Sequence, residues 1–217
     1  YISGNKDDQW TWWNENGQIF SKEIFKDGNL VSEIRYLYDT NGQIILEGNY
    51  KDGKKHGKET WWNNGQVVKE ENYKDGKLDG KYTEWYGYEN GQINWEENYK
   101  DGELDGKSTG WHENGQMSYE GHYKGGKQDG KWTRWYESGE IYAQVNYKQD
   151  KFDGKYTEWY ENGQVNKDEY YKDDKLIGIF KYQYYSNGQK KTKMGYQNDN
   201  LVSAKHWYEN GSKSKVG

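Results

Sequence analysis

Tyr73-Lys-Asp-Gly-Lys-Leu-Asp-Gly80 runs directly into Lys81-Tyr-Thr-Glu-Trp-Tyr86, and the same wording returns along the chain. Lys155-Tyr-Thr-Glu-Trp-Tyr-Glu-Asn-Gly-Gln-Val165 is a cleaner copy that closes near Tyr171-Lys-Asp. The dipeptide Asn-Gly, or Ser-Gly, ends at Gly17, Gly42, Gly65, Gly91, Gly115, Gly139, Gly163, Gly188 and Gly211, with successive spacings of 25, 23, 26, 24, 24, 24, 25 and 23. A fixed period of this length marks a repeat architecture. No linker or compositional break interrupts it, so residues 1–217 read as one repeat domain.

Each copy holds two turn signals. Asn-Gly is the stronger, because a type I′ hairpin turn needs positive φ at both central residues. Asp-Gly is the second, at Gly28, Gly53, Gly76 and Gly102, and an Asp takes that glycine place at Asp150, Asp174 and Asp199. Between turns lie six to nine residues rich in Thr, Tyr, Trp, Val and Ile, which is strand length and composition. Alternation follows each Asn-Gly: Ile141, Ala143, Val145 and Tyr147 share one face, as do Met117, Tyr119 and Tyr123. The expected fold is all-β: an elongated, twisted antiparallel β-meander of nine β-hairpins, with roughly 16–18 strands that curl or coil.

Composition agrees. Leu, Ile, Val and Phe number 28 of 217 residues, far too few for a thick aliphatic core, yet 12 Trp, 23 Tyr and 4 Phe supply apolar area. Position −4 from each turn glycine, allowing an insertion in the copy ending at Gly91, is aromatic: Trp13, Tyr38, Trp61, Trp85, Trp111, Trp135, Trp159, Tyr184 and Trp207. This column is read as structural, with Trp111, Trp135 and Trp159 each worth about 3–5 kcal/mol. The neighbouring row, Trp62, Tyr86, Tyr136, Tyr160, Tyr185 and Tyr208, falls on the opposite face and is the candidate binding platform.

These residues resemble the MORN repeat, and in particular its bacterial variant, often described as the YwqK-type antitoxin family. The pattern stands as Tyr73, Gly76, Gly80, Tyr82, Trp85 and Tyr86, and again as Tyr123, Gly126, Gly130, Trp132, Trp135, Tyr136 and Gly139. It covers about residues 10–215; the terminal copies drift, with Ser32 and Ser203 in the place of the second glycine and Ile179-Phe180 after Gly178. The resemblance implies an elongated antiparallel meander that binds proteins, and phospholipid in some eukaryotic members. It supplies no catalytic residue. Choline- and glucan-binding repeats share the Trp-Tyr pairs but lack the paired Asp-Gly and Asn-Gly rhythm.

The chemistry of the sequence points away from catalysis. There is no Cys, hence no disulfide and no thiolate nucleophile or ligand. The four histidines, His56, His112, His122 and His206, sit at different repeat positions and read as surface imidazoles. Glu70-Glu71, Glu96-Glu97 and Asp168-Glu169 recur with the repeat and read as a solvated acidic ridge. No metal, cofactor or catalytic residue is expected. The net charge of −5 gives no case for nucleic acid. No run of about eighteen apolar residues is present to span a membrane as a helix. The chain starts at Tyr1 without Met, as a mature or trimmed chain does, and an extracellular or envelope setting is favoured over the cytoplasm.

One asymmetry remains. Residues 175–217 carry eight lysines (Lys175, Lys181, Lys190, Lys191, Lys193, Lys205, Lys213, Lys215) against Asp199 and Glu209, or +6, leaving −11 elsewhere. Lys190, Lys191, Lys193, Lys213 and Lys215 are the candidate basic patch, with Lys191 facing opposite Lys190 and Lys193. They are read as guarding a sheet edge against aggregation, with weak membrane binding. The functional expectation is a non-catalytic protein-binding scaffold of bacterial origin, with an unidentified protein partner and homodimerisation left open. An antitoxin-like neutraliser of a toxin, or a surface module with weak lipid or glycan contact, are the alternatives.

Overall fold

The structure, a computed structural model, describes residues 8–87 and 91–214. Among them there is no helix, and every pairing is antiparallel between hairpin arms close in sequence. The chain divides into two compact units, Tyr1–Gly106 and Lys107–Gly217. The first holds β1 (Asp8–Trp13), β2 (Ile19–Lys26), β3 (Asn29–Tyr38), β4 (Ile44–Lys51), β5 (Lys54–Asn63), β6 (Gln66–Lys74), β7 (Lys77–Leu78), β8 (Gly80–Trp85), β9 (Ile93–Lys100) and β10 (Glu103–Leu104). Then follow β11 (Gly106–Trp111), β12 (Met117–Lys124), β13 (Lys127–Gln128), β14 (Gly130–Trp135), β15 (Ile141–Lys148), β16 (Lys151–Phe152), β17 (Gly154–Trp159), β18 (Val165–Lys172), β19 (Lys175–Tyr184), β20 (Lys190–Gln197) and β21 (Asn200–His206). The meander is the one the turn spacing predicts, with some arms broken in two.

The two turn signals exchange roles. Asp75 and Gly76 have φ of 51° and 86°, and Asp173 and Asp174 have 47° and 65°, so the Asp-Gly class supplies the two-residue turns with positive φ at both positions. The Asn-Gly turns are longer. In the loop after β17, the Tyr160 amide donates to the Gln164 carbonyl at 2.8 Å and the Gly163 amide to the Tyr160 carbonyl at 2.9 Å. The asparagine side chain explains the difference. Asn162 Oδ1 accepts the Gln164 amide at 3.1 Å, and Asn114 and Asn187 do the same for Gln116 and Gln189, so a side-chain turn replaces left-handed backbone. Asn64-Gly65 alone follows the expected pattern among the described asparagines of these turns, with φ of 48° and 76°.

That shorter turn resets the register of the third hairpin. Trp62 pairs with Val67 as Trp85 pairs with Ile93 and Trp135 with Ile141. Trp62, and not Trp61, therefore stands in the aromatic column. Each such hairpin also carries a bulge beside the turn: Arg134 pairs with Ala143 and Trp135 with Ile141, leaving Tyr142 as the extra residue.

A second bulge breaks the central arms. Tyr73 pairs with Leu78, but Glu70 pairs with Thr83, so Asp79 and Gly80 are extra. Gly80 has φ of +112°, and a Cβ there would lie 3.2 Å from Asn72 Cβ. The Asn72 side-chain amide donates across the gap to the Lys81 carbonyl, as Asn49 does to Lys58 and Asn146 to Lys155. In the drifting copies this device is absent. Ile24 pairs with Ser32, Tyr170 with Gly178 and Gly195 with Ser203, and a single extra residue, Val31, Ile177 or Val202, replaces the two. Strands β3 and β19 run unbroken for 10 residues each.

Burial follows alternation, but the buried layer is more polar than the composition predicts. Leu46, Trp132, Ala143, Val145 and Tyr182 are the buried apolar residues, alongside Glu33, Glu59, Glu71, Thr83, Thr157 and Asp168. Trp132 is the packing centre of the second unit. Its ring stacks on Tyr119 at 6.0 Å and meets Tyr123 and Tyr147 edge-on at 5.2 and 6.1 Å. A Cβ on Gly121 would fall 2.0 Å from that ring, so glycine opens the space it fills. Tilted ring contacts continue through Tyr147, Phe152 and Tyr171 at 5.0 and 5.1 Å.

Candidate binding surfaces

The acidic pairs do not form a solvated ridge. Adjacent residues point to opposite faces, so each pair is split. On one face of the first unit a cross-strand ladder runs Glu47, Thr60, Glu70, Thr83, Glu96. In the second unit it runs Glu120, Thr133, Gln144, Thr157, Asp168. Lysines brace it: Lys58 with Glu70, Lys81 with Glu96, Lys107 with Glu120 at 2.8 Å and Lys155 with Asp168 at 2.8 Å. Asp168 also accepts the Thr157 and Tyr182 hydroxyls, both at 2.7 Å. Burial alone would raise its pKa; the hydrogen bonds from Lys155, Tyr182 and Thr157 outweigh that and hold it below the ordinary carboxylate value.

On the opposite face each carboxylate is tied to a tyrosine two residues away on its own strand. Tyr73 donates to Glu71 at 3.2 Å, Tyr99 to Glu97 at 2.9 Å and Tyr171 to Glu169 at 3.1 Å. Burial, then the Glu84 carboxylate, pushes the Tyr82 hydroxyl pKa upward. Glu59, 1% exposed, accepts from Lys55 at 2.7 Å and from Trp61 Nε1 at 3.2 Å. Trp61 also donates to Glu71 at 3.3 Å and lies under Lys69 Nζ at 4.7 Å. Sequence spacing placed this residue in the column; the register places it in the carboxylate network.

The column itself is half-buried rather than enclosed. Tyr38, Trp62, Trp85, Trp111, Trp135, Trp159, Tyr184 and Trp207 are intermediate in exposure, and Trp13 is 61% exposed. The adjacent row divides. Tyr136 donates its hydroxyl to the Trp159 carbonyl and Tyr185 to the Trp207 carbonyl, both at 2.8 Å, so these rings stitch one hairpin to the next. His112, in the same place, contacts the Trp135 carbonyl at 3.1 Å. Tyr160 and Tyr208 are exposed, and half-buried Tyr86 lines a hollow with Trp85, Val67 and Val68.

Of the basic patch, Lys215 lies outside the described residues. Lys190 and Lys193 flank the Tyr182 ring at 4.9 and 5.4 Å, and Lys191 lies 5.6 Å from the Tyr185 ring. Lys191 is the bulged residue, which is how Lys190 and Lys193 reach one ring despite their spacing. Lys213 pairs with Trp207 in an isolated bridge. Two hollows were not legible in the sequence. One, about 350 Å³ in the first unit, is lined by Lys22, Ile24, Ser32, Ile34, Asn49 and His56, with His56 Nδ1 3.3 Å from Asp75. The other, about 360 Å³ in the second unit, is apolar and open. The second lies where the asparagine device is missing, a loss visible in the sequence as Ile179-Phe180 after Gly178, and the first lies between Ser32, in a copy that lacks it, and Asn49, in one that has it.

An array of hairpins with this turn pair and aromatic spacing defines a β-hairpin repeat architecture. The family described as MORN repeat variant matches residues 9–27, 34–52, 55–75, 104–124, 128–149 and 152–173, more than half of the chain, and the chain belongs to it. No curated protein matches it in sequence. Among solved structures, the crystal structure of TcdB2-TccC3-TEV is 11% identical with a TM-score of 0.30, matching 93% of this chain and 13% of that one. A Photorhabdus luminescens Tc holotoxin pore is likewise 11% identical, with a TM-score of 0.27 over 94% of this chain and 14% of that one. The chain thus spans about one-seventh of their length, and likeness at this level bears on neither fold nor function.

Proposed function

We propose that this chain is a non-catalytic binding module of bacterial origin whose partner is another protein, engaged along a repeat face. The observation that carries the reading is how the chemically capable groups are used. Carboxylates, tyrosine hydroxyls and lysines recur with the repeat and hold it together, as in Glu71–Tyr73, Glu97–Tyr99 and Asp168–Lys155. The remaining surface displays exposed aromatic and aliphatic side chains such as Tyr160, Tyr208, Leu176 and Leu201 among its polar residues. Apolar side chains displayed on a framework of tight turns suit recognition better than bond-making.

Affinity capture from the native host, followed by mass spectrometry and by remeasuring the purified pair, tests the reading. A partner that binds directly and at fixed stoichiometry is expected. If that partner is a toxin whose activity the chain suppresses, the neutraliser reading replaces the scaffold. Failure to retain any protein, with retention of anionic lipid or glycan instead, refutes a protein-binding role.

A further inference from the structure

We propose that the apolar hollow at the last two hairpins docks an acidic, apolar-anchored peptide segment of a partner protein, with Lys193 and Lys205 receiving its carboxylates. The inference rests on the binding-module reading and names the surface and the partner chemistry. The hollow is about 360 Å³ and is lined by Tyr170, Ile177, Phe180, Gly195, Tyr196 and Val202. Ile177 and Val202 are 50% and 61% exposed, and they replace the Asp-Gly pair that occupies the bulge in central copies. Exposed aliphatic side chains thus stand where the repeat otherwise puts a charge.

The charges beside the hollow are inverted too. Five residues after the turn glycine the second to seventh hairpins place Glu47, Glu70, Glu96, Glu120, Gln144 and Asp168; the eighth places Lys193, and of the others only the first, with Lys22, has a lysine there. Lys193 stands directly opposite Lys205 across β20 and β21, and its ammonium lies 4.1 Å from the Phe180 ring at the hollow. No ion pair is formed by either lysine among the described residues. Like charges directly opposed across strands are destabilising, and a carboxylate from outside would relieve them with charge-assisted hydrogen bonds. Edge guarding does not account for Lys193, because β20 is paired on both sides, with β19 and with β21. The +6 of residues 175–217 against −11 elsewhere favours a narrow acidic segment over an extended anionic surface.

The test uses the full chain and a fluorescein-labelled nine-residue peptide alternating glutamate with leucine, read by anisotropy at about 0.15 M salt. Two control peptides replace every glutamate by lysine or every leucine by serine. The acidic apolar peptide should bind about tenfold or more tightly than either control, and raising the salt should weaken it. Lys193→Glu with Lys205→Glu, and separately Ile177→Ser with Val202→Ser, should each remove about nine-tenths of that affinity with the far-ultraviolet dichroism and melting temperature kept. Lys193→Ser with Lys205→Ser covers the case in which the charge reversal disturbs folding. Equal binding of the three peptides, or full affinity in the variants, overturns the proposal. So does preferential, lysine-dependent binding to phosphatidylserine vesicles without peptide binding. If the variants still hold the captured partner, this surface is excluded while the binding-module reading stands.

Discussion

Removing the Trp132 side chain is the sharpest test of how the second unit is held together. The ring is 4% exposed and is surrounded by Tyr119, Tyr123 and Tyr147, with Gly121 beneath it. A buried aromatic removes about 150–250 Å² from water, worth about 4–6 kcal/mol at 25 cal/mol per Å² as an upper bound. Alanine keeps a little of that, and the three aromatic contacts vanish. One term opposes the loss: Trp132 Nε1 is buried without a hydrogen-bond partner. Deleting it removes an unpaid desolvation cost of about 1–3 kcal/mol. Trp132→Ala should therefore destabilise by about 3–4 kcal/mol, inside the range for large-to-small core changes. Trp132→Phe should recover most of this, because it keeps ring packing and drops the unsatisfied donor. Urea unfolding followed by dichroism and by tryptophan fluorescence measures both. Trp13→Ala, at a column position 61% exposed, is the control and should cost under about 1 kcal/mol. A Trp132→Ala loss no larger than that of Trp13→Ala would refute the argument.

Asp168→Asn should cost about 1.5–3 kcal/mol near neutral pH, because it ends the ion pair with Lys155 and weakens acceptance from Thr157 and Tyr182. The Asp168 pKa is depressed by folding, so its contribution is present above the unfolded value near 3.9 and disappears as pH falls through the folded one. Acid titration of stability should consequently be flatter below about pH 4 in the variant than in the parent. Gly80→Ala should cost about 1–3 kcal/mol by thermal melting, since φ of +112° suits only glycine and the new Cβ crowds Asn72 at 3.2 Å. Tyr136→Phe removes one hydroxyl that joins consecutive hairpins and should cost about 0.5–1.5 kcal/mol in the same assay.

The hairpin framework was legible because turn chemistry and period-two alternation are local properties. What happened inside it was not. Asparagine can satisfy a turn either by left-handed backbone or by its side chain, and the sequence around Asn64 does not differ from that around Asn162 in any way that announces the choice. That one choice shortens a loop and exchanges Trp61 for Trp62 in the column. The acidic pairs were read as solvated because charge normally seeks water. Asp168 is buried instead because threonine, tyrosine and lysine partners arrive from positions that only the pairing register brings near, and Glu71 because Trp61 arrives across the pair to join Tyr73 on its own strand. Tyr136 and Tyr185 likewise reveal their anchoring role only when the next hairpin's carbonyl is in place. The basic patch was visible as a count, but the opposition of Lys193 and Lys205 depends on a bulge.

The bonds between successive hairpins have an evolutionary corollary. Gln18 reaches the Gly42 carbonyl and Gln164 the Gly188 carbonyl, each 24 residues on, and Tyr136 reaches Trp159 at 23. A copy joined in this way offers its predecessor the same kind of acceptor that it demands from its successor. Unequal recombination that duplicates or deletes one such copy leaves no donor stranded, so array length can drift freely by whole periods. Copies bearing Val31, Ile177 or Val202 break that interchangeability, since they lack the asparagine latch their neighbours use. Copy number should vary among relatives in the Asp-Gly-bulged interior, while the apolar-bulged copies persist as fixed punctuation.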